Sequence, residues 1–160
     1  MKAMIQRLRW LLGLPVRVKF FSDHGAVPPR TMHAGDAGAD LYAALNRPVE
    51  IHPGGRALIS TGFQMALPPG FEAQIRPRSG LALRRGVTVL NAPGTVDSGY
   101  RAYVGVILIN HGQSPVVIKP GDRIAQVVIA PYAHVSFHGV GSLAESERGE
   151  GGFGSTGLQG

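Results

Sequence analysis

The sequence predicts an all-β domain, folded as a barrel or a sandwich, on two observations. Proline–glycine pairs, which are strong turn signals, recur along the chain at Pro53-Gly54, Pro69-Gly70, Pro93-Gly94 and Pro120-Gly121. Between and beyond these turns lie short segments that alternate in polarity or are rich in β-branched residues, as strands are. A chain of 160 residues can bury the core of one domain, and no internal repeat or linker divides it.

Six segments are predicted to be strands because they alternate between apolar and polar residues or form short apolar runs. In chain order they are residues 16–20, 71–76, 87–90, 103–109, 116–118 and 124–129. If the last of these is regular, Ile124 and Gln126 share its core-facing side. Helix is expected to be scarce. Residues 79–85 allow one or two turns, and residues 142–145 fit a capping box that opens a short helix.

The composition excludes several kinds of site. Because the chain has no cysteine, disulfides, thiolate zinc sites and cysteine nucleophiles are ruled out. The histidines show no metal-ligand spacing, so His134 and His138 are interpreted as surface residues. No apolar run approaches the length of a membrane span, and we therefore expect a cytoplasmic protein without a membrane partner.

The net charge of +6 is concentrated at the start of the chain, where residues 1–30 hold six Lys or Arg and one acid. Residues 1–14 are basic and then apolar, but Pro15 and Arg17 end the apolar part and no small-residue cleavage site follows. We interpret this stretch as a short amphipathic extension. With three lysines in all and no basic run, the chain is not expected to bind a specific nucleic acid.

The Gly-rich segment 148–157 carries side chains suited to a binding site. Arg148 offers a planar cation, Phe153 a stacking face, and Ser155 and Thr156 hydroxyl donors, all set among five glycines whose N–H groups can approach an anion. That set suits a phosphorylated molecule with a flat ring. The G-x-G-x-x-G pattern within it lacks the strand and helix of a dinucleotide site, and without a Gly-Lys pair the chain has no Walker motif.

Residues 77–82 follow a predicted strand and begin a predicted helix. Arg78 and Ser79 there form either an anion site at the start of the helix or a capped helix with a surface arginine. Two other segments place polar side chains on strands. Asp40 begins a strand after a glycine-rich bend, and Gln126 is either satisfied within the core or reaches a ligand.

Residues 91–101 are predicted to form a hairpin between two apolar strands, with Asp97 just past the turn. An aspartate in this position is either an Asx-turn residue or a general base acting on water. Tyr100 either walls a sugar pocket or packs against the protein. The residues alone leave both pairs of alternatives open.

These segments, in this order, resemble the five motifs of the homotrimeric dUTPase family (dUTP pyrophosphatases). The matching segments are residues 38–43 (GADLYA), 77–82 (PRSGLA), 94–101 (GTVDSGYR), 121–126 (GDRIAQ) and 148–157 (RGEGGFGSTG). Two departures are Ala102, where the family usually has glycine, and Gly105, where many bacterial members have lysine. Five motifs in sequence on an all-β chain make the resemblance highly specific. A deaminase of dCTP shares the fold but not the tail, and a non-catalytic nucleotide sensor or nucleic-acid binder is a further alternative.

The resemblance implies a jelly-roll-like β-barrel trimer that uses Mg²⁺ to hydrolyse dUTP to dUMP and diphosphate, lowering dUTP and supplying dUMP for dTMP synthesis. It implies an extension at residues 1–14, the barrel at 15–147, and a flexible arm at 148–160 that closes as a lid. In such trimers each active site draws on three chains, the arm of one covering a pocket built by the others.

The resemblance also implies the role of each candidate residue. Asp97 would deprotonate the water that attacks the α-phosphorus, Tyr100 would press on the deoxyribose, and Asp40 would reach Mg²⁺ only through water. The base would be read by the backbone around Asn91, Gly94, Thr95 and Val96 and stacked by Phe153. The phosphates would be held by Arg78, Ser79, Gly80 and Gln126, with Arg148, Gly154, Ser155 and Thr156 from the arm.

Overall fold

The computed structural model describes residues 2–150, with the side chains of residues 2 and 3 excepted. Within that range the chain forms two helices and eleven strands, which confirms the predicted all-β class. The helices are α1 (Lys2–Leu11) and α2 (Ser79–Arg85). The strands are β1 (Lys19–Ser22), β2 (Gly38–Tyr42), β3 (Val49–Ile51), β4 (Arg56–Ser60), β5 (Phe63–Ala66), β6 (Phe71–Arg76), β7 (Val87–Val89), β8 (Gly94–Val96), β9 (Gly105–Asn110), β10 (Val116–Ile118) and β11 (Arg123–Pro131).

The strands pair antiparallel in four small sheets. The largest has the order β2-β11-β6-β8, a second has β4-β9-β7, and the pairs β1-β5 and β10-β3 complete the set. Each sheet contributes alternate residues to one core. In β6, for example, Phe71, Ala73 and Ile75 are buried while the residues between them are not. This is the period-two pattern expected when one face of a strand packs inward.

The core is apolar except for two polar side chains, Thr61 and Asn110, among the buried residues of the described chain. Both are hydrogen-bonded. Thr61 Oγ1 donates to Val104 O at 2.7 Å. Asn110 Nδ2 donates to the carbonyls of Ile51 and Ser114, each at 2.9 Å, and its Oδ1 accepts from Gly112 N at 2.8 Å. Buried polar groups satisfied in this way fix the connections between strands.

Two local predictions are wrong, and the condition attached to a third is not met, in ways that the packing explains. The first strand begins at Lys19, because its pairing with β5 starts at Lys19 opposite Ala66. Residues 142–145 form no helix; everything from residue 133 to 150 is exposed, and so short a helix gains nothing without packing. The pairing of β11 with β2 shifts between Arg123 and Ala125, so the strand is not regular there.

That shift is a β-bulge, and it reverses the predicted orientation of Gln126. Ile124 and Ala125 are both buried, and the alternation then continues with Val127 buried and Gln126 half-exposed. Gln126 therefore lies on the side opposite to the core, rather than sharing the inward side of Ile124. Bulges redirect side chains in this manner.

The predicted hairpin at 91–101 is present in a longer form. The strands β7 and β9 do pair, but their connection contains β8, which joins β6 in the other sheet. The N-terminal stretch forms α1, a helix that the sequence reading left unassigned. Among residues 2–150, neither helix has the length and apolar character required to cross a bilayer.

Candidate functional site

A cavity of about 390 Å³ lies where β2 and β11 meet the start of α2. It brings together five of the residues singled out from the sequence, since Asp40, Arg78, Ser79, Gly80 and Gln126 all line it. Its wall also includes Asp36, Gly38 and Arg123. The cavity therefore unites the first, second and fourth of the sequence motifs in one place.

Asp40 organises the cations of this pocket. It lies within β2, rather than at its start, and its side chain is 12% exposed. Arg78 Nε donates to Asp40 Oδ1 and Arg123 Nη1 donates to Asp40 Oδ2, each at 3.0 Å. Arg78 Nη1 also donates to Arg123 O at 3.1 Å. One carboxylate thus positions two guanidinium groups, whose planar forks suit phosphate oxygens.

The charges in the pocket balance before any ligand arrives. The two arginines, Arg78 and Arg123, face two aspartates, Asp40 and Asp36. The Asp36 carboxylate accepts hydrogen bonds from the backbone N–H groups of Met32 at 3.1 Å and His33 at 2.7 Å, which fixes the turn before β2. A triphosphate placed here would need an additional cation, because these side chains leave no net positive charge to offset it.

Gln126 reaches the pocket because Gly38 leaves room for it. The two residues lie on neighbouring strands of the β2–β11 pair, and a Cβ on Gly38 would overlap Gln126 Oε1. Gln126 Nε2 donates to Pro77 O at 2.9 Å. The carboxamide is therefore held against the segment that leads into α2, and it is satisfied outside the core.

The start of α2 adds main-chain donors to the same pocket. Arg78 occupies the N-cap position with extended φ and ψ of −96° and 126°. The first helical bonds run from Leu81 N and Ala82 N to Arg78 O, both at 3.1 Å. The N–H groups of Ser79 and Gly80 precede these bonds, and N–H groups in the first turn of a helix have no intrahelical partner. The segment therefore combines an arginine, a hydroxyl and two amides on one wall.

The second part of the candidate site is the loop formed by residues 91–101, called the 91–101 loop. Gly94 is buried where β8 pairs with β6, and a Cβ there would come within 3.1 Å of Asn91 Nδ2. The Ala92–Pro93 peptide is cis. Thr95 is exposed and Val96 half-buried. These contacts bring Asn91 back over the start of β8, so the loop presents backbone edges next to an amide side chain.

Asp97 follows β8 and is exposed. The turn after it is closed by its backbone, because Tyr100 N donates to Asp97 O at 3.1 Å. Within residues 2–150, the Asp97 carboxylate takes part in no hydrogen bond or ion pair. This geometry removes the Asx-turn interpretation, in which the carboxylate itself would hold the turn. Asp97 is left as a carboxylate able to accept a proton.

Tyr100 is held at the end of the same loop by a short chain of hydrogen bonds. Its hydroxyl donates to Tyr103 O at 3.1 Å, and the Tyr103 hydroxyl donates to Asp23 Oδ1 at 2.6 Å. The bond to Asp23, with smaller effects of desolvation and of the aspartate charge, raises the pKa of Tyr103 above its ordinary 10.0. Arg101 Nη1 donates to the carbonyls of Ser98 and Tyr100, which tightens the turn further.

The two parts of the candidate site lie at opposite ends of β6. The strand β8 runs antiparallel to it, with Gly94 opposite Ile75 and Val96 opposite Ala73. Asp97 therefore continues past Ala73, whereas Arg78 follows the other end of β6. The run from Ala73 to Arg78 is extended, and at about 3.3 Å per residue it spans roughly 16 Å. One chain does not bring Asp97 and Tyr100 to the pocket of Arg78.

Some residues of the site were missed by the sequence reading. Arg123 lies inside the 121–126 motif, but no role was predicted for it. Its position next to Asp122, just after a Pro-Gly turn, was the feature that could have marked it as a candidate site residue. The Asp36 carboxylate holds the turn before β2 and Gly38 leaves space for Gln126, and both roles depend on contacts that a sequence does not display. Arg148 lies in an exposed turn at 147–150. The predicted arm residues Phe153, Gly154, Ser155 and Thr156 lie outside the described residues.

Comparison with known proteins identifies one family. A family model described as dUTPase matches residues 24–157. The chain is similar to the dUTPase of Staphylococcus bacteriophage 80alpha with dUPNHPP, at 25% identity and a TM-score of 0.82, over 90% of this chain and 100% of that one. It is also similar to the dUTPase from phage phi11 of S. aureus, at 21% identity and a TM-score of 0.73, over 79% and 97% of the two chains.

A mutant of the same phi11 enzyme is described for the coordination of a structural Mg(II) ion, and it matches this chain at 21% identity and a TM-score of 0.71, over 79% of this chain and 97% of that one. These likenesses agree on one architecture, and they confirm the jelly-roll-like all-β fold predicted from the motifs.

Proposed function

The chain belongs to the dUTPase family and is a dUTP diphosphatase, and from that premise we propose how its residues hydrolyse dUTP to dUMP and diphosphate. Asp97 accepts a proton from a water molecule, whose oxygen attacks the α-phosphorus. The bond between the α-phosphorus and the bridging oxygen breaks, and diphosphate leaves with the electron pair. The observation that carries this role is the Asp97 carboxylate, which is exposed and has no partner among the described residues.

The phosphates of the substrate bind in the cavity of Arg78. Guanidinium groups already fixed by Asp40 need no reorganisation when negative charge develops, and such preorganised donors stabilise the transition state most effectively. Ser79, the Gly80 amide and Gln126 line the same cavity and add neutral donors. Arg123 belongs to this group as well, since it shares the Asp40 carboxylate with Arg78.

Magnesium fits this pocket as a companion of the substrate. Among residues 2–150, no cluster of three or more acidic or histidine side chains could chelate a metal, and both oxygens of Asp40 accept from arginines. The balanced charges of the pocket leave room for a cation carried by the triphosphate itself. When bound, Mg²⁺ would offset phosphate charge, and Asp40 is the residue that would reach it through water.

The 91–101 loop reads the base and the sugar. A loop backbone that hydrogen-bonds uracil rejects cytosine, because the exocyclic amine would meet a donor and leave buried polar groups unpaired. Thymine is excluded by shape, since one methyl group alone is worth only about 1–3 kcal/mol of discrimination. Asn91, Gly94, Thr95 and Val96 form the reading edge. Tyr100 lies against the deoxyribose and leaves no space for a 2′-hydroxyl.

A complete site requires more than one chain, and we place it in a homotrimer. The separation of roughly 16 Å along β6 supports this arrangement, because the water-activating residue and the phosphate pocket of a single chain do not meet. The 91–101 loop of one subunit would close the Arg78 pocket of another. The arm from Arg148 onward, with Phe153 on uracil and Gly154, Ser155 and Thr156 at the phosphates, would cover the site. Hydrolysis would lower dUTP and supply dUMP for dTMP synthesis.

The test is release of diphosphate from dUTP, dCTP, dTTP and UTP, measured for the native chain, for Asp97→Asn and for Glu50→Gln. Glu50 is an exposed carboxylate outside the site and is the matched control. We expect activity on dUTP alone, a fall in kcat of about 10²–10⁴-fold for Asp97→Asn and none for Glu50→Gln. Near-normal turnover by Asp97→Asn would remove it from the mechanism.

Hydrolysis in ¹⁸O-water locates the attacked phosphorus. Attack at the α-phosphorus places the label in dUMP. Label in diphosphate would show that water attacks the β-phosphorus instead, and the proposed mechanism would then be wrong even if the enzyme is specific for dUTP.

A further inference from the structure

Helix α1 lies outside the region that matches the dUTPase family, which begins at residue 24, and its end is specified by sequence. Gly13 has a left-handed φ of 68°, Gly13 N donates to Trp10 O at 3.0 Å and Leu14 N donates to Arg9 O at 2.8 Å. A glycine in this conformation with paired hydrogen bonds back to the last turn is the usual stop signal of a helix. The extension therefore has a defined fold of its own.

One face of α1 is apolar and exposed. The face consists of Met4, Ile5, Leu8 and Leu11 at the i, i+1, i+4 and i+7 spacing of a helical stripe, and Leu12, just past the end of the helix, continues it. Each of these side chains is between 48% and 71% exposed. An apolar stripe of this length normally packs against a core, and here the barrel does not cover it.

Two hydrogen bonds tie the helix to the rest of the chain. Arg7 Nη2 donates to Tyr132 O at 3.0 Å, and Gln6 Oε1 accepts from Arg17 N at 3.2 Å. These contacts fix the helix beside the barrel while its apolar stripe stays in solvent. The exposed surface is thus a formed feature of the molecule.

The charge around this stripe has one sign. Residues 1–22 hold Lys2, Arg7, Arg9, Arg17 and Lys19 and no acid. A second copy of the helix would bring like charges together, which opposes pairing of the two stripes. A surface that carries negative charge next to an apolar layer is complementary both to the apolar stripe and to the basic side chains around it.

We propose that α1 binds the surface of a membrane that contains anionic lipids. The apolar stripe would enter the boundary between headgroups and acyl chains, with the basic side chains of the same segment against lipid phosphates. Helices with a basic polar face and Leu residues on the other face bind membranes in this manner. The sequence-based expectation of no membrane partner considered only segments that span, and an interfacial helix does not span.

The experiment is sedimentation of the full chain with vesicles of phosphatidylcholine alone or mixed with phosphatidylserine. We expect the protein to pellet with the mixed vesicles, to stay in solution with phosphatidylcholine, and to be released by added salt. The double variant Leu8→Ser with Leu12→Ser should bind the mixed vesicles at least about tenfold more weakly, because two large apolar side chains are lost from the stripe. The control Leu143→Ser changes a side chain that is 88% exposed elsewhere and should bind normally.

Release of diphosphate from dUTP, measured on every variant, verifies that each is folded. The proposal is overturned if the native chain fails to pellet with mixed vesicles, or if the double variant pellets as well as the native chain. It is also overturned if the native chain does not bind vesicles and the double variant has a smaller mass than the native protein in light scattering. That result would make the stripe a contact between copies of the chain.

Discussion

Two inactive variants of this protein are expected to restore activity to each other when they are mixed. Asp97→Asn removes the proton acceptor but leaves the Arg78 pocket intact. Arg78→Ala removes a phosphate ligand but leaves Asp97 intact. If each site takes Asp97 from one chain and Arg78 from the next, a mixed trimer contains sites in which both residues are native. If each site lies within one chain, no such site can form.

The expected recovery of activity follows from the symmetry of a cyclic homotrimer, in which each of the three sites takes its residues from neighbouring chains in the same way. In a random equimolar trimer, half of the chains carry a native Asp97 and half carry a native Arg78. A shared site receives both with a probability of about one quarter. The mixture should therefore regain about one quarter of the native activity per site, against essentially none for either variant alone.

A second mixture separates the two arrangements independently. When native chains are combined with the double variant Asp97→Asn/Arg78→Ala, shared sites are active only where both contributing chains are native, in about one quarter of cases. Sites within single chains would instead retain about one half. The chains are unfolded together, refolded and purified as trimers, and the release of diphosphate is measured. No recovery in the first mixture, with one half retained in the second, would refute a shared site.

Further predictions concern positioning and stability. Gly38→Ala should displace the Gln126 carboxamide and raise the KM for dUTP by roughly tenfold, as loss of one hydrogen bond to a charged group does, with little change in Tm. Asn110→Ala removes the partner of the buried Ile51 carbonyl and of two more accessible backbone groups, and should lower the free energy of unfolding by about 1–3 kcal/mol in denaturant titrations. Since the bond to Asp23 raises the pKa of Tyr103, that contact is complete below pH 10.0 and is lost as the pH rises through the raised value. In a spectrophotometric titration the Tyr103 phenol should ionise late, a signal that Tyr103→Phe removes and Asp23→Asn shifts back towards 10.0.

The sequence predicted best those elements whose pattern is local. Residues 71–76 and 116–118 have the predicted bounds of β6 and β10, because alternation and Pro-Gly turns delimit them. The one- or two-turn helix at 79–85 is α2. By contrast, β1 began later than predicted because its bounds depend on the distant β5. The helix expected at residues 142–145 does not form, because a capping pattern alone does not stabilise a short helix that has no surface to pack against.

The composition of the site was more predictable than its geometry. Motifs located Asp40, Arg78 and Gln126, and the pocket unites them. No pattern in the chain showed that Gln126 faces outward, since that orientation depends on a bulge in the pairing of β11 with β2. Nor could the sequence show that Asp97 lacks a partner among the described residues. Both facts arise from contacts between segments far apart in the chain.

The balance of charge in the pocket gives its arginines a preorganised position at a cost in affinity. Asp40 fixes Arg78 and Arg123 before substrate arrives, so the ordering of two long side chains is completed on folding and not on binding. The same carboxylate, with Asp36, cancels their charge, and the pocket alone attracts phosphate weakly. On the proposed function, substrate that carries its own Mg²⁺ would restore the missing positive charge. Such a site would favour a metal-bound triphosphate over free phosphate or diphosphate, and product without its cation would be held less firmly.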